Sequence, residues 1–316
     1  MFPLYKKRNF SDYISDTFMF FRHKGKHFFK LYFTINGGLL LVASTLIYFI
    51  FKVYFEFMFS TFSRGVVQQS NSIESLIEGN SATIISLAIL GIILLFFISL
   101  LQFAFPVIYL DLLDKTQGEN FGVSAIFRNL KKNAFKLIKF IIGSIFILFP
   151  ILAIVMTLNI LLCIIIIGIP LLLITIPAMM AWVHLVFFHY ISGEERFFTA
   201  VSNAFYNLKQ QFWQIVLSTL VVMIIIQIVL TIFTMIPYIF GVASIYTNPQ
   251  GITNQQEGFS ILTIMMTSIM IISFIANYIL NNLILINQGL IYYSLKEQNE
   301  NISSNNSIDL IGTESE

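Results

Sequence analysis

Charged residues are scarce in this chain, and their scarcity excludes a water-soluble fold. Asp, Glu, Lys and Arg make up 11% of the 316 residues, whereas a soluble domain carries about 25%. Hydrophobic residues make up 57%, and the mean hydropathy is +0.83. The net charge is only +2, so no overall basic field predicts nucleic-acid binding. This composition indicates an integral membrane protein.

Residue types that carry chemistry are also rare. The single cysteine, Cys163, can form neither an intrachain disulfide nor a cysteine-based metal site. The sequence contains no phosphate-binding glycine loop, Ser/His/Asp set or HExxH motif. Asp, Glu, Lys and Arg are missing from the centres of the apolar runs, which argues against proton-coupled transport. These absences favour a non-enzymatic protein without a cofactor.

Long apolar runs predict six transmembrane helices, because a bilayer core requires about 20 apolar residues. Four spans cover residues 31–51, 84–109, 212–236 and 261–293, and the uncharged stretch 140–191 must hold two more. We expect the break in that stretch at Gly168-Ile169-Pro170, since proline disfavours helix at and before its own position. Asn159 offers an earlier turn. The predicted fold class is all-α, a polytopic membrane helical bundle.

The distribution of Lys and Arg predicts the orientation. Most of them lie before span one, between spans two and three, between spans four and five, or after span six, whereas the opposite side has only Lys52 and Arg64. We therefore expect both termini in the cytoplasm and the chain in a bacterial cytoplasmic (inner) membrane. The predicted outer loops are residues 52–83 and 237–260. Residues 296–316 are polar and acidic, which predicts a disordered tail.

A five-residue motif recurs and predicts an internal repeat. Phe127-Arg128-Asn129-Leu130-Lys131 recurs as Phe205-Tyr206-Asn207-Leu208-Lys209, and Phe18-Met19-Phe20-Phe21-Arg22 is a weaker equivalent. Each copy precedes an odd-numbered span. The chain is therefore predicted to contain three units, each with an amphipathic interfacial helix and two spans. Their ranges are residues 1–110, 111–192 and 193–295.

The motif copy in the second predicted unit, residues 127–131, predicts a helix on the cytoplasmic membrane surface. Its basic residues are Arg128, Lys131, Lys132 and Lys136, and its apolar face is formed by Val123, Ile126, Phe127, Leu130 and Ala134. Such a helix suits anionic headgroups. Membrane lipids are the expected partners, and a membrane protein partner remains open.

This repeat resembles bacterial integral membrane proteins related to the membrane domain of glycerophosphoryl diester phosphodiesterases. In those proteins an aromatic-containing amphipathic stretch precedes each pair of spans, as in Asn207-Leu208-Lys209-Gln210-Gln211-Phe212-Trp213 here. The resemblance implies the architecture over nearly the whole chain. It implies no enzyme, because phosphodiesterase activity would require a separate soluble barrel domain, and no charged α/β region of that size is present.

Two sets of polar residues are candidate sites. His23, His27, His184 and His189 are weak candidates for a metal site; His23 and His27 suit headgroup contacts better, and His184 and His189 point about 140° apart on a helix. A polar intramembrane face is predicted from Gln102, His184, Ser273, Asn277, Asn281, Asn287 and Gln288. Such amides serve as packing contacts between helices or line a substrate path.

Gln102, His184 and Asn287 each lie six or seven residues before a tyrosine near the cytoplasmic end of spans two, four and six. We therefore expect these three side chains to meet in one polar centre. Glycine residues Gly37 and Gly38 predict a close helix approach in span one.

Three functional hypotheses follow. The first is a non-enzymatic inner-membrane protein with a structural, accessory or lipid-handling role. The second is a transporter or channel-like protein for a neutral or amphipathic substrate. The third and weakest is a metal-dependent membrane oxygenase that modifies lipids or carotenoids and uses the histidines.

Overall fold

The fold is described from a computed structural model over residues 2–64, 69–118, 121–247 and 255–302. Its helices are α1 (Phe10–Arg64), α2 (Gln69–Lys115), α3 (Val123–Gly143), α4 (Phe149–Cys163), α5 (Gly168–Ile191), α6 (Phe197–Gln210), α7 (Phe212–Thr247) and α8 (Gln255–Glu300). A π-helical segment, Ser144–Leu148, joins α3 to α4 without a break.

Within the described residues, six helical segments are long and apolar enough to cross a membrane. They are Phe10–Lys52, Ile89–Lys115, Val123–Cys163, Gly168–Ile191, Phe212–Ser244 and Ser260–Glu300. The predicted fold class is confirmed: the chain is an all-α, multi-pass membrane protein.

The turn between α4 and α5, residues 164–167, lies directly before the predicted break Gly168-Ile169-Pro170, which forms the start of α5. The helix ends at Cys163, and α5 begins at Gly168, two residues before Pro170. A Cβ at Gly168 would collide with the backbone nitrogen of Cys163, so this tight turn needs glycine. Asn159 does not end α4; its Oδ1 accepts a hydrogen bond from Thr175 Oγ1 at 3.2 Å, which joins the two helices.

The helices extend farther than the predicted spans. Residues 52–64 and 69–83, predicted as an outer loop, are helical, as are residues 237–247 and 255–260 of the other predicted outer loop. Residues 39–64 contain no glycine or proline to end α1, so the helix continues past the apolar run. Residues 65–68 and 248–254, and residues 303–316 of the predicted tail, lie outside the described residues; residues 296–300 of that tail are helical.

The predicted interfacial helices differ in how they join the spans. In the first two predicted repeats, residues 1–110 and 111–192, these segments are the first turns of the span helices themselves. Nothing interrupts α1 after Phe10 or the helix that starts at Val123. In the third predicted repeat, residues 193–295, α6 is separate from α7, and only Gln211 lies between them.

The helices divide between two compact units. The first unit contains Met1–Ile35, Gln102–Ile225 and Asn281–Glu316, and the second contains Asn36–Leu101 and Ile226–Leu280. In the first unit, α5 packs against α3, α4 and α6, and its core includes Tyr32, Phe105, Phe187 and Leu290. In the second unit, Tyr278 donates a hydrogen bond to the carbonyl oxygen of Ile98 at 3.2 Å.

Candidate functional site

The N-terminal segment, residues 2–9, is hydrogen-bonded to the ends of two helices of the first unit, α2 and α8. Tyr5 Oη donates to Asp114 Oδ2 of α2 at 2.8 Å, and the backbone amide of Arg8 donates to Ser294 Oγ of α8 at 2.9 Å. Lys7 Nζ donates to Asn301 Oδ1 at 2.7 Å. The two ends of the described chain therefore lie on the same side of this unit.

Arg8 holds this segment together through a buried ion pair. Its guanidinium is fully buried and lies 2.9 Å from Asp16 Oδ2, which is itself nearly inaccessible. The guanidinium also donates to the carbonyl oxygens of Pro3 and Leu4. Burial lowers the pKa of Arg8, while the hydrogen bond and charge of Asp16 oppose that shift. Burial, followed by the hydrogen bond to Asp114, raises the pKa of Tyr5 and keeps its hydroxyl a donor.

His184 and Asn287, two of the three residues predicted to meet in one polar centre, hydrogen-bond to other groups. His184 Nδ1 bonds to its own helix, at the carbonyl oxygen of Met180, and His184 Nε2 is buried without a hydrogen-bond partner. The Asn287 amide donates instead to Tyr13 O and Thr17 Oγ1 of α1, at 3.0 and 3.1 Å. His184 therefore bonds neither to Gln102 nor to Asn287.

The three spans nevertheless meet through apolar contacts. A Cβ at Gly289 of α8 would collide with Leu110 of α2 and would lie 2.8 Å from the Phe188 ring of α5. The His184 ring also stacks on Phe103 of α2, with ring centroids 5.3 Å apart. The sequence analysis did not predict the close helix contact at Gly289. The position of this glycine directly after the amides Asn287 and Gln288 could have indicated it.

The predicted polar face of span six is not buried as a whole. Gln288 is fully buried, and its Nε2 donates to Thr219 Oγ1 of α7 at 2.8 Å. Ser273 and Asn281 are half-buried, whereas Asn277 is exposed. Burial therefore varies along this predicted face.

The four histidines are not gathered around a common centre. His23 is exposed, and His27 is held between Tyr109 Oη at 2.8 Å and Phe121 O at 2.9 Å. His27 Nε2 faces a carbonyl oxygen, so it carries the proton, and Nδ1 accepts from the tyrosine. In the described part of the chain, no group of three or more His, Cys, Asp or Glu side chains could hold a metal ion.

His189 lies in a hydrogen-bond network at the corner between α5 and α6, which the sequence reasoning missed. Its Nδ1 lies 2.8 Å from Glu195 Oε1, and its Nε2 lies 2.9 Å from Asn207 Nδ2. Asn203 donates to the other oxygen of Glu195 at 3.0 Å. With the Asn207 amide as donor, neutral His189 donates through Nδ1, so both ring nitrogens are occupied. Asn207 belongs to the repeated motif, which was the available signal.

One face of α3 and one face of α6 carry exposed aromatic side chains beside polar and basic ones. On α3, Ile126 and Leu130 are buried, whereas Phe127 and Phe135 are 54% and 68% exposed. The predicted basic residues Arg128, Lys131 and Lys132 are exposed, and Lys136 is half-buried. We call the exposed side of α3, formed by these four basic residues with Phe127 and Phe135, the basic aromatic face.

The equivalent positions of α6 and early α7 have the same exposure pattern. Ala204 and Leu208 are buried, and Phe205 and Trp213 are each 59% exposed. Phe127 and Phe135 of α3 precede Phe205 and Trp213 by the same number of residues.

The second unit contains a cavity of about 400 Å³ between α7 and α8. We call it the α7–α8 groove. Its walls are formed by Ile236, Pro237, Phe240, Gly241 and Ser244 of α7, and by Ile261, Ile264, Met265, Ser268 and Ile272 of α8. This volume is within the usual range for small-molecule sites, about 300–1,000 Å³.

Comparisons with known protein families, curated proteins and solved structures find no match for this chain.

Proposed function

We propose that this chain is a non-enzymatic, multi-pass protein of a bacterial cytoplasmic membrane, with a structural, accessory or lipid-handling role. The basic aromatic face of α3 is the observation that carries the proposal. Both termini are cytoplasmic in this proposal, and anionic headgroups of the cytoplasmic leaflet are the partners. A protein partner in the membrane is compatible with the same role.

Five of the six side chains of the basic aromatic face are exposed in the part of the chain that the structure describes, and Lys136 is half-buried. Lys139 Nζ, from the same helix, lies 4.5 Å from the centre of the Phe135 ring. This cation–π contact keeps the basic group next to the aromatic ring. On an interfacial helix, Phe side chains insert at the boundary between headgroups and acyl chains. Basic residues beside them gain about 1 kcal/mol each near an anionic leaflet.

A non-enzymatic role is supported by how the polar side chains are used. His27, His189 and Asn287 each hydrogen-bond to a neighbouring helix of the first unit. His27 and His189 also bond to Phe121 and Glu195, which lie between helices. Such contacts stabilise packing between helices in a membrane. The histidine geometry gives the oxygenase hypothesis no support.

Lipid retention tests the proposal. We expect Lys131→Gln/Lys132→Gln to lower retention of phosphatidylglycerol relative to phosphatidylcholine, measured by native mass spectrometry of protein released from mixed nanodiscs. At about 1 kcal/mol per lysine, the loss should be at least tenfold. Lys52→Gln/Arg64→Gln removes the same charge from the opposite predicted side and is the matched control. Equal losses in both double variants would contradict the proposal.

A transporter for a neutral or amphipathic substrate is the second candidate, because the α7–α8 groove provides an apolar cavity in a membrane helix pair. Uptake of a substrate by proteoliposomes, lost when the groove is filled, would favour it. The relationship to membrane domains of glycerophosphoryl diester phosphodiesterases stays a prediction from the repeated motif.

A further inference from the structure

The α7–α8 groove is lined almost entirely by apolar side chains. Two hydroxyls, of Ser244 and Ser268, are the polar side-chain groups among its ten lining residues, and Ser244 Oγ already donates to the carbonyl oxygen of Phe240 at 2.8 Å. Lining residues Phe240 and Ile264 are 71% and 64% exposed, so the groove opens to the surroundings of α7 and α8.

The sequence of α7 and α8 sets the helix contact beside this groove. At Gly241 the Met265 side chain lies where a Cβ would otherwise be, so these two residues form a contact that only glycine permits. Met265 is 5% exposed, and its unbranched thioether adapts to irregular shapes. One turn before Gly241, Pro237 has no amide hydrogen for the carbonyl oxygen of Phe233, which loosens α7 beside the groove.

The position of the groove identifies the kind of molecule that fills it. All ten lining residues lie within the membrane-crossing segments Phe212–Ser244 and Ser260–Glu300. Water is disfavoured in a cavity with so few polar partners. In a bilayer, the apolar molecules beside such a helix pair are lipid acyl chains.

We propose that the α7–α8 groove binds one acyl chain of a membrane phospholipid. This inference rests on the lipid-handling role proposed above and gives it a second site, specific for the tail rather than for the headgroup. The Gly241–Met265 contact forms the base of the site, and Phe240 and Ile264 form its rim.

Photolabelling tests the site in the full-length protein. The probe is phosphatidylcholine with a diazirine in one acyl chain, incorporated into nanodiscs and followed by peptide mapping. Adducts should be several-fold more frequent on the groove residues than on the exposed α4 residues Ile154 and Leu158. Even labelling of all exposed apolar residues would overturn the proposal, and so would labelling by a diazirine fatty acid but not by the phospholipid.

A pair of neighbouring substitutions provides the control. Ser244→Phe places a ring in the groove, whereas Ala243→Phe places the same ring on an exposed position of α7 outside it. Groove adducts should fall several-fold in Ser244→Phe and stay unchanged in Ala243→Phe; equal yields would refute the site. Phosphatidylcholine has no net charge, so its labelling of the groove does not depend on the basic residues of α3. A negative labelling result would overturn the groove site alone, and phosphatidylglycerol retention would still test the proposed function.

Discussion

Asp16 accepts hydrogen bonds from two cations, and the two differ in their exposure. Arg8 lies 2.9 Å away and is fully buried, whereas Lys6 lies 3.1 Å away with 38% of its side chain exposed. An exposed ion pair contributes at most about 1 kcal/mol. A buried guanidinium that loses its carboxylate costs about 3–5 kcal/mol. The geometry therefore assigns most of the stabilisation to Arg8.

The expected result is that Asp16→Asn lowers the free energy of unfolding by about 3–5 kcal/mol, while Lys6→Gln lowers it by less than about 1 kcal/mol. Unfolding in mixed micelles with increasing dodecyl sulfate measures both. The double variant Arg8→Met/Asp16→Leu should recover much of the loss, because no unpaired charge stays buried. A double variant as unstable as Asp16→Asn would contradict this account.

The substitution of glycine by alanine should change stability in opposite directions at Gly289 and at Gly38. Gly289→Ala should destabilise the first unit by about 1–3 kcal/mol, because the new methyl group would meet Leu110 and Phe188. Gly38→Ala should be neutral or stabilising by up to about 1 kcal/mol, since no neighbour lies within 4 Å of that position. The same micelle assay compares them. The sequence prediction of a close helix approach is wrong at Gly38.

At the scale of single helices, apolar run length predicts where a helix crosses the membrane but not where it ends. The break before α5 could be predicted because Gly168 and Pro170 impose it locally. The extension of α1 to Arg64 could not, because residues 52–64 are less apolar than the span yet carry no helix breaker. Helix continuity depends on backbone hydrogen bonds, which polar side chains do not interrupt.

The junction between α6 and α7 allows a direct measure of membrane depth. Trp213 is 59% exposed, whereas Trp182 is half-buried and its Nε1 donates to the Val201 carbonyl oxygen at 3.4 Å. In Trp182→Phe, the remaining Trp213 should be quenched more by lipids brominated near the headgroup than near the chain end.

The matching variant Trp213→Phe reports on Trp182, which should be quenched less at either depth because protein covers part of its ring. Stronger quenching of Trp213 by the deep bromines would place this junction inside the bilayer and contradict the interfacial position of α6.

At the scale of the whole molecule, composition predicted the fold class, whereas the site depended on contacts that sequence patterns do not specify. Asn287 and His184 share a spacing to their tyrosines, yet Asn287 bonds to α1 and His184 stacks on Phe103. Which neighbour a buried amide meets depends on helix rotation and on small residues such as Gly289. Neither can be obtained from the period of one helix.

Orientation is the last property of the whole molecule that can be tested directly. In a Cys163→Ser background, Lys132→Cys and Tyr246→Cys place one thiol each at exposed positions of α3 and α7. The excess of Lys and Arg on one side predicts that Lys132 is cytoplasmic and Tyr246 is outside. A membrane-impermeant maleimide should therefore label Tyr246→Cys in intact spheroplasts, and Lys132→Cys only after the membrane is opened. Labelling of both after opening controls for thiol accessibility. Labelling of Lys132→Cys in intact spheroplasts would reverse the orientation and remove the cytoplasmic leaflet as the partner of α3.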